Sequence, residues 1–456
     1  MQKFLSSPFA NLTRYINKGH ERSINAKKNI LASFLVKGGT IAISLILVPL
    51  TIHYVNPTSY GVWLTLSSII AWLSYFDIGF GNGLRNKFAE ALATGQKELA
   101  RIYVSTTYAI LGLIIAFALI LFIGINPFLN WAKILNTAPE MRAELSILAL
   151  IVFVFFCLQF ILQLVTTIII SDQQPAKASA LNLASSLFSL IIIFILTKTT
   201  QGNLLYLGLA LGSAPVIVLA ASSIYLFRGE FSYYAPSLKF VKFSYAKNLM
   251  NLGLKFFLIQ IASLILYQSS NIIIAQLFGP AEVTPYNIAY KYFSVAPMIF
   301  NIITAPLWSA YTEAYVKQDF NWIKNSMKKM SYMWVVLALF VIVMLFLSNK
   351  VYSLWVGEGV TIPFILSLAL AFYVIINTWC GLFSQFLNGV GKIKLQLYSG
   401  LFGAVLNIPL AVYLGHNVGV SGVVFSTCIL GMTSAIWSPI QYYKIIHNKA
   451  KGIWAS

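Results

Sequence analysis

The run from Tyr103 to Ile125, Tyr-Val-Ser-Thr-Thr-Tyr-Ala-Ile-Leu-Gly-Leu-Ile-Ile-Ala-Phe-Ala-Leu-Ile-Leu-Phe-Ile-Gly-Ile, holds 23 residues without one charged side chain. A helix needs about 20 apolar residues to cross the hydrocarbon core of a bilayer. A soluble helix of that length would carry a polar face. Working outward, runs of the same kind recur along the whole chain. They predict spans at 30–53, 59–79, 103–125, 145–170, 178–197, 204–227, 248–277, 286–309, 331–348, 361–383, 396–415 and 420–443. Turn formers separate them, as at Asn56-Pro57-Thr58-Ser59, Asn126-Pro127, Asp172-Gln173-Gln174-Pro175 and Gly279-Pro280. The expected fold is therefore an all-α polytopic membrane protein of about 12 transmembrane helices.

Composition agrees. Of 456 residues, 59% are hydrophobic and 9% charged, where a soluble chain carries about a quarter charged residues. The net charge of +19 would suggest nucleic acid in a soluble protein. Here the cations sit in short segments between apolar runs, which points to membrane orientation and to no nucleic-acid partner. Cys157, Cys380 and Cys428 lie scattered in apolar runs, and His20, His53, His416 and His447 are far apart. Neither set has the spacing of a disulfide framework or a metal site. The basic N-terminus lacks the continuous apolar core of a cleavable signal. Its Phe9, Leu12 and Ile16 fit one face of a surface helix, or a basic tail.

With the N-terminus placed in the cytoplasm, 24 of the 31 Lys and Arg residues fall on the cytoplasmic side. Four face outward (Lys133, Arg142, Lys198, Lys350) and three lie within spans (Lys37, Lys255, Lys291). This asymmetry orients the chain with both termini inside. The two halves also look alike. Lys28-Asn29-Ile30-Leu31 opens one and Lys247-Asn248-Leu249-Met250 the other, each ahead of an apolar run interrupted by one lysine, Lys37 or Lys255. A polar inner segment follows around Glu90 or Glu313, and the offsets are 219 and 223 residues. The expected organisation is a basic N-terminal segment (1–28), a six-helix bundle (29–227), a cytoplasmic linker (228–247), a second six-helix bundle (248–443) and a tail (444–456). Two such bundles, related as parallel repeats, would rock around a central cavity.

No loop is long enough to hold a catalytic domain. Glu140 and Glu144, the one close outward-facing carboxylate pair, are four residues apart and read most simply as a solvated helix face. The residues that carry chemistry are the charges within spans, because a cation at the bilayer centre costs at least about 2.5–3.5 kcal/mol. Lys37 lies eight residues past Asn29, roughly 12 Å along a helix. Lys255 lies as far past Lys247. Each either faces the cavity or snorkels to the interface; Lys291, nearer the outer face, has the same two readings. Asp77 is the one acid placed within a span, as a charge partner for Lys37 or Arg85, a carrier of H+ or Na+, or a helix-end carboxylate. Three cations against one acid suit an anionic substrate. In-span Pro49, Pro215, Pro297, Pro306, Pro363, Pro409 and Pro439 predict kinks.

One region carries a family resemblance. Tyr54-Val55-Asn56-Pro57-Thr58-Ser59-Tyr60-Gly61-Val62-Trp63 is followed by Tyr75-Phe76-Asp77-Ile78-Gly79-Phe80-Gly81-Asn82-Gly83-Leu84-Arg85-Asn86-Lys87 and by Ala100-Arg101-Ile102-Tyr103-Val104-Ser105-Thr106-Thr107-Tyr108. This resembles the bacterial O-antigen flippases, the polysaccharide-transporter branch of the superfamily that also holds multidrug extrusion pumps and the lipid II flippase. The motifs cover about one eighth of the chain, and the two-bundle layout covers all of it. The resemblance implies an inner-membrane flippase, not an enzyme. Its substrate would be an undecaprenyl-pyrophosphate-linked oligosaccharide, its partners membrane lipids, a polysaccharide polymerase and a chain-length regulator. By matching character it carries Lys37, Arg85, Lys255 and Lys291 over as cavity residues, Asp77 as the coupling or pairing acid, and Glu90 and Glu313 as inner-gate residues or surface-helix carboxylates. It implies no cofactor beyond a coupling ion, H+ or Na+, and no metal site. The alternatives are a cation-coupled multidrug exporter, which needs carboxylates in the cavity, and a membrane glycosyltransferase, which needs an ordered outer loop.

Overall fold

The computed structural model describes residues 21–72, 80–172, 174–246, 269–304, 307, 311, 314–315 and 317–455. Among these the regular structure is entirely helical. Among the described residues nine helical stretches are long and apolar enough to cross a membrane. Three further expected spans are occupied in part by Pro57–Ala71, Ser270–Phe278 and Val283–Thr304, the last being broken by Asn287, Lys291 and Asn301 and so less apolar than the others.

The first half comprises α1 (Glu21–Val55), α2 (Pro57–Ala71), α3 (Phe80–Ala93), α4 (Lys97–Ile125), α5 (Trp131–Leu135), α6 (Arg142–Leu162), α7 (Leu164–Ser171), α8 (Pro175–Thr199) and α9 (Leu204–Arg228). The breaks follow the turn chemistry. Asn56 ends α1 with φ 79° and its side chain accepts from the Ser59 N–H at 2.9 Å. Pro57, which has no N–H to lose, occupies the first turn of α2. Pro175 opens α8 in the same way. The expected span at 145–170 is one stretch long and apolar enough to cross a membrane, divided into α6 and α7 at Gln163, where Thr166 N–H turns back to the Gln163 carbonyl at 2.9 Å.

The second half comprises α10 (Ser270–Phe278), α11 (Val283–Thr304), α12 (Phe320–Val356), α13 (Phe364–Gly389), α14 (Lys394–Val418) and α15 (Val420–Ile446). Gly279 (φ 92°) and Gly419 (φ 73°) make the turns after α10 and α14 in a conformation that suits glycine. Pro363, expected inside a span, instead precedes α13 in extended geometry (φ −61°, ψ 137°), since a proline lacks the N–H an interior position would use. Pro49, Pro215, Pro297, Pro409 and Pro439 do lie inside helices; Pro306 lies outside the described residues.

Most helix contacts stay within a half. In the first, α1 packs on α8, and α9 on α6 and α8; in the second, α15 packs on α13 and α14, and α13 on α11 and α12. The outer surface is apolar: Leu113, Phe117 and Ile120 on α4 are 62–71% exposed. Such a row along one helix is what lipid, rather than water, would cover.

The linker expected at 228–247 runs along α4 as three short turns, Ser232–Tyr234, Leu238–Phe240 and Phe243–Tyr245. Ser237 N–H donates to Ser105 Oγ at 3.1 Å and Lys242 N–H to Thr106 Oγ1 at 3.0 Å. The Arg101 guanidinium lies over the Phe240 ring at 4.2 Å. Glu230 is tied to Lys177 and Gln174 at the start of α8. Those bonds, Lys177 first, hold its carboxyl below the usual carboxylate range.

Candidate functional site: the cleft between the halves

The hydrogen bonds that join the halves among the described residues gather toward one end, where α1 runs into α2 and α10 into α11. Here Gly61 of α2 meets Pro280. A Cβ built at Gly61 would stand 1.8 Å from the Pro280 carbonyl oxygen, so this approach requires glycine. Thr284 Oγ1 donates to the Pro57 carbonyl at 2.6 Å. Asn136 Nδ2 donates to the Ala275 carbonyl at 3.0 Å, and Gln276 Nε2 returns donations to the Lys133 carbonyl at 3.1 Å and to that of Ile134. Side-chain amides thus add hydrogen bonds to backbone carbonyls at helix ends on both sides of the seam.

Two contacts reach deeper. Trp355 Nε1, near the end of α12, donates to the Leu45 carbonyl of α1 at 2.7 Å. In an unbroken helix the Leu45 carbonyl would receive the N–H of residue 49. That residue is Pro49, which has none. The proline therefore leaves an acceptor without its intrahelical donor, and the other half supplies one. One residue earlier, Lys291 Nζ of α11 donates to the Ser44 carbonyl at 3.2 Å.

These contacts fix the face of α1 that looks toward the second half. Lys37 precedes Ser44 by seven residues, or two helical turns, and lies on the same face roughly 10 Å nearer the helix start. It is exposed, and Lys291 is half-buried. Among the described residues neither forms an ion pair. Lys291 is therefore placed at the seam itself, and helix geometry puts Lys37 two turns away on the same face of α1.

Arg85 is exposed on α3. On the same helix Lys87 Nζ donates to Glu90 at 2.7 Å, and this bond raises the Lys87 ammonium above its ordinary range. Glu90 is thus held within its own helix in this conformation. Asp77, Lys255 and Glu313 lie outside the described residues. Sequence reasoning passed over Ser44, Gly61, Thr284 and Trp355. Pro49 was the available signal: an interior proline marks the carbonyl four residues earlier as an acceptor seeking a donor.

Comparison with known proteins follows the same outline. A family model described as "Polysaccharide biosynthesis protein" matches residues 26–311, and one described as MatE matches residues 256–413. A putative O-antigen transporter of Salmonella typhi is 22% identical over 419 residues, covering 90% of this chain and 94% of its own. Among solved structures, an inward-facing multidrug resistance MATE family transporter superposes with a TM-score of 0.72 at 15% identity, over 91% of this chain and 95% of that one. The lipid II flippase MurJ in an inward closed conformation gives 0.71 at 14%, over 91% and 87%.

Proposed function

The chain belongs to the polysaccharide biosynthesis protein family, and from that premise we propose that it is a flippase for a lipid-linked oligosaccharide in the bacterial inner membrane. The substrate is an oligosaccharide on undecaprenyl pyrophosphate, an O-antigen unit, moved from the cytoplasmic to the periplasmic leaflet. Twelve spans with both termini in the cytoplasm fit the 24-to-4 distribution of basic residues between the two sides. In that orientation the Gly61–Pro280 seam is periplasmic, and the cleft faces the leaflet where the substrate is made.

The observation that carries the reading is Lys291, held across the seam by the Ser44 carbonyl and in no ion pair among the described residues, with Lys37 on the same face of α1. A desolvated ammonium gains most from a charged, multi-oxygen acceptor such as pyrophosphate. On arrival of that group Lys291 would exchange a backbone carbonyl for a phosphate oxygen. The exchange removes one bond between the halves, which couples head-group binding to opening of the seam. Arg85 and Lys255 extend the basic track, and Asp77 is the candidate for coupling to H+ or Na+. A polysaccharide polymerase and a chain-length regulator would receive the product. The MatE match over residues 256–413 favours a second reading, a cation-coupled multidrug exporter. The cleft as described offers ammonium groups where a cationic drug would need carboxylates.

The test is complementation of a flippase-deficient strain with Lys37→Ala, Lys291→Ala, Lys255→Ala and Arg85→Ala. Each lost charge-assisted contact is expected to cut export by about tenfold or more. Full export by all four variants at normal expression would overturn the charged-cleft mechanism.

A further inference from the structure

The second half contains a cavity that the cleft mechanism leaves unused. It lies between α13, α14 and α15 and has a volume of about 190 Å³. Asn377 and Ser384 of α13, Gln396 and Ser399 of α14, and Ser434 and Trp437 of α15 are in its wall. Among the described residues that line it, none is charged.

Two wall atoms are buried without a partner: Ser438 Oγ, in a residue 1% exposed, and Gln396 Oε1. The wall itself mixes amide and hydroxyl side chains with apolar surface, which points to a ligand that brings both hydrogen bonds and apolar area. Trp437 adds apolar surface. Its Nε1–H is already spent on Ser399 Oγ at 3.1 Å, and Ser399 Oγ is in turn 3.2 Å from Ser434 Oγ. What remains of the indole for a ligand is its ring, whose electron-rich face attracts weakly positive C–H groups.

This combination selects among ligands. A cation would find no carboxylate. A polyprenyl chain would strand the amides of Asn377 and Gln396 and the Ser438 hydroxyl. A pyranose matches both surfaces, with hydroxyls at its rim and C–H groups on its faces. At about 190 Å³ the cavity is smaller than the roughly 300–1,000 Å³ of pockets for drug-sized ligands, which suits a single ring. The cavity also leads toward the cleft. Tyr373 and Thr427 line both it and a narrower extension bounded by Tyr286 and Tyr290 of α11. The Tyr286, Tyr290 and Tyr373 rings follow one another at 6.0 and 6.3 Å, and Tyr290 is the neighbour of Lys291.

We propose that this cavity binds one neutral sugar residue of the oligosaccharide while the cleft lysines hold the anionic head group, an assignment that rests on the flippase reading above. The experiment uses the full chain in phospholipid nanodiscs and saturation-transfer NMR. The probes are a panel of methyl hexopyranosides and N-acetylhexosaminides, together with the free oligosaccharide released from its lipid. A Cβ at Gly381, another wall residue, would meet nothing within 4 Å, so Gly381→Leu fills the cavity; Asn377→Ala is the milder variant. Saturation of at least one sugar is expected in the wild type, weakened about tenfold or more by Gly381→Leu and about fivefold by Asn377→Ala. Binding of sugar-free undecaprenyl pyrophosphate should be unchanged in both. The proposal is overturned if no sugar is saturated in the wild type, or if both variants keep the wild-type signal. Because the sugar measurement involves no export, it separates this site from the flippase reading, which fails through the lysine variants instead.

Discussion

The two halves share an outline and differ inside. The first is dry. Phe122 and Phe153 stack with centroids 4.0 Å apart and planes 10° from parallel, and Phe156 and Phe160 continue the row beside fully buried Leu145 and Leu148. The second keeps a polar hollow among Ser399, Ser434 and Trp437. Stacked rings fill the interior of one half. Small hydroxyl and amide side chains make the other a container. A repeat thus permits the halves to differ inside while the seam between them stays matched. The contrast predicts unequal tolerance. Phe153→Ala should cost about 3–5 kcal/mol by leaving a void where the rings stacked, seen as a large fall in thermal midpoint in detergent. Ser434→Ala, which removes one hydroxyl from a wall that is already open, should cost about 1 kcal/mol or less. Equal losses would mean that the cavity is as tightly built as the aromatic core.

The seam between the halves sharpens the comparison, since both contribute backbone to it. Gly61→Ala puts a methyl group where the Pro280 carbonyl stands, and backbone on both sides must move. Overpacking of this kind costs about 1–3 kcal/mol, and here it falls on the closed conformation alone. Spin labels at Thr58 and Glu282, both exposed at this end, should report a longer and broader distance in Gly61→Ala. Phe153→Ala, whose defect lies within one half, should leave that distance unchanged. If Gly61→Ala keeps the wild-type distance, Gly61 is not what lets the halves meet.

The spans were legible because a bilayer imposes its length on the sequence: the Tyr103–Ile125 run needs no tertiary information to be read. The breaks were legible where Asn56, Pro57 and Pro175 carry their own backbone chemistry. The interruption at Gln163 was not, since no residue type there demands it. Lys37 and Lys291 were legible as charges out of place, but the partner of Lys291 is a backbone carbonyl, which every residue carries and no side chain announces. The sugar-sized cavity was hidden for a related reason. Serine, asparagine and glycine in an apolar helix also read as close-packing residues, and only the facing of three helices turns them into a wall.

Pro49 is visible in the sequence while its consequence is not. The proline withholds the N–H that would have bonded the Leu45 carbonyl, and Trp355 supplies one from 310 residues away. Pro49→Ala restores the N–H, so the Leu45 carbonyl returns to its own helix and the indole loses its acceptor. The closed conformation should weaken by about 1 kcal/mol, the net worth of one hydrogen bond. A smaller lengthening of the Thr58–Glu282 distance than in Gly61→Ala is the expected sign. Trp355→Phe should do the same by removing the donor. The decisive measurement is the double variant: if the bond is the whole effect, adding Pro49→Ala to Trp355→Phe changes the distance no further. Additive changes would show instead that the kink acts by bending α1, with the indole bond a passenger on a helix already turned toward the second half.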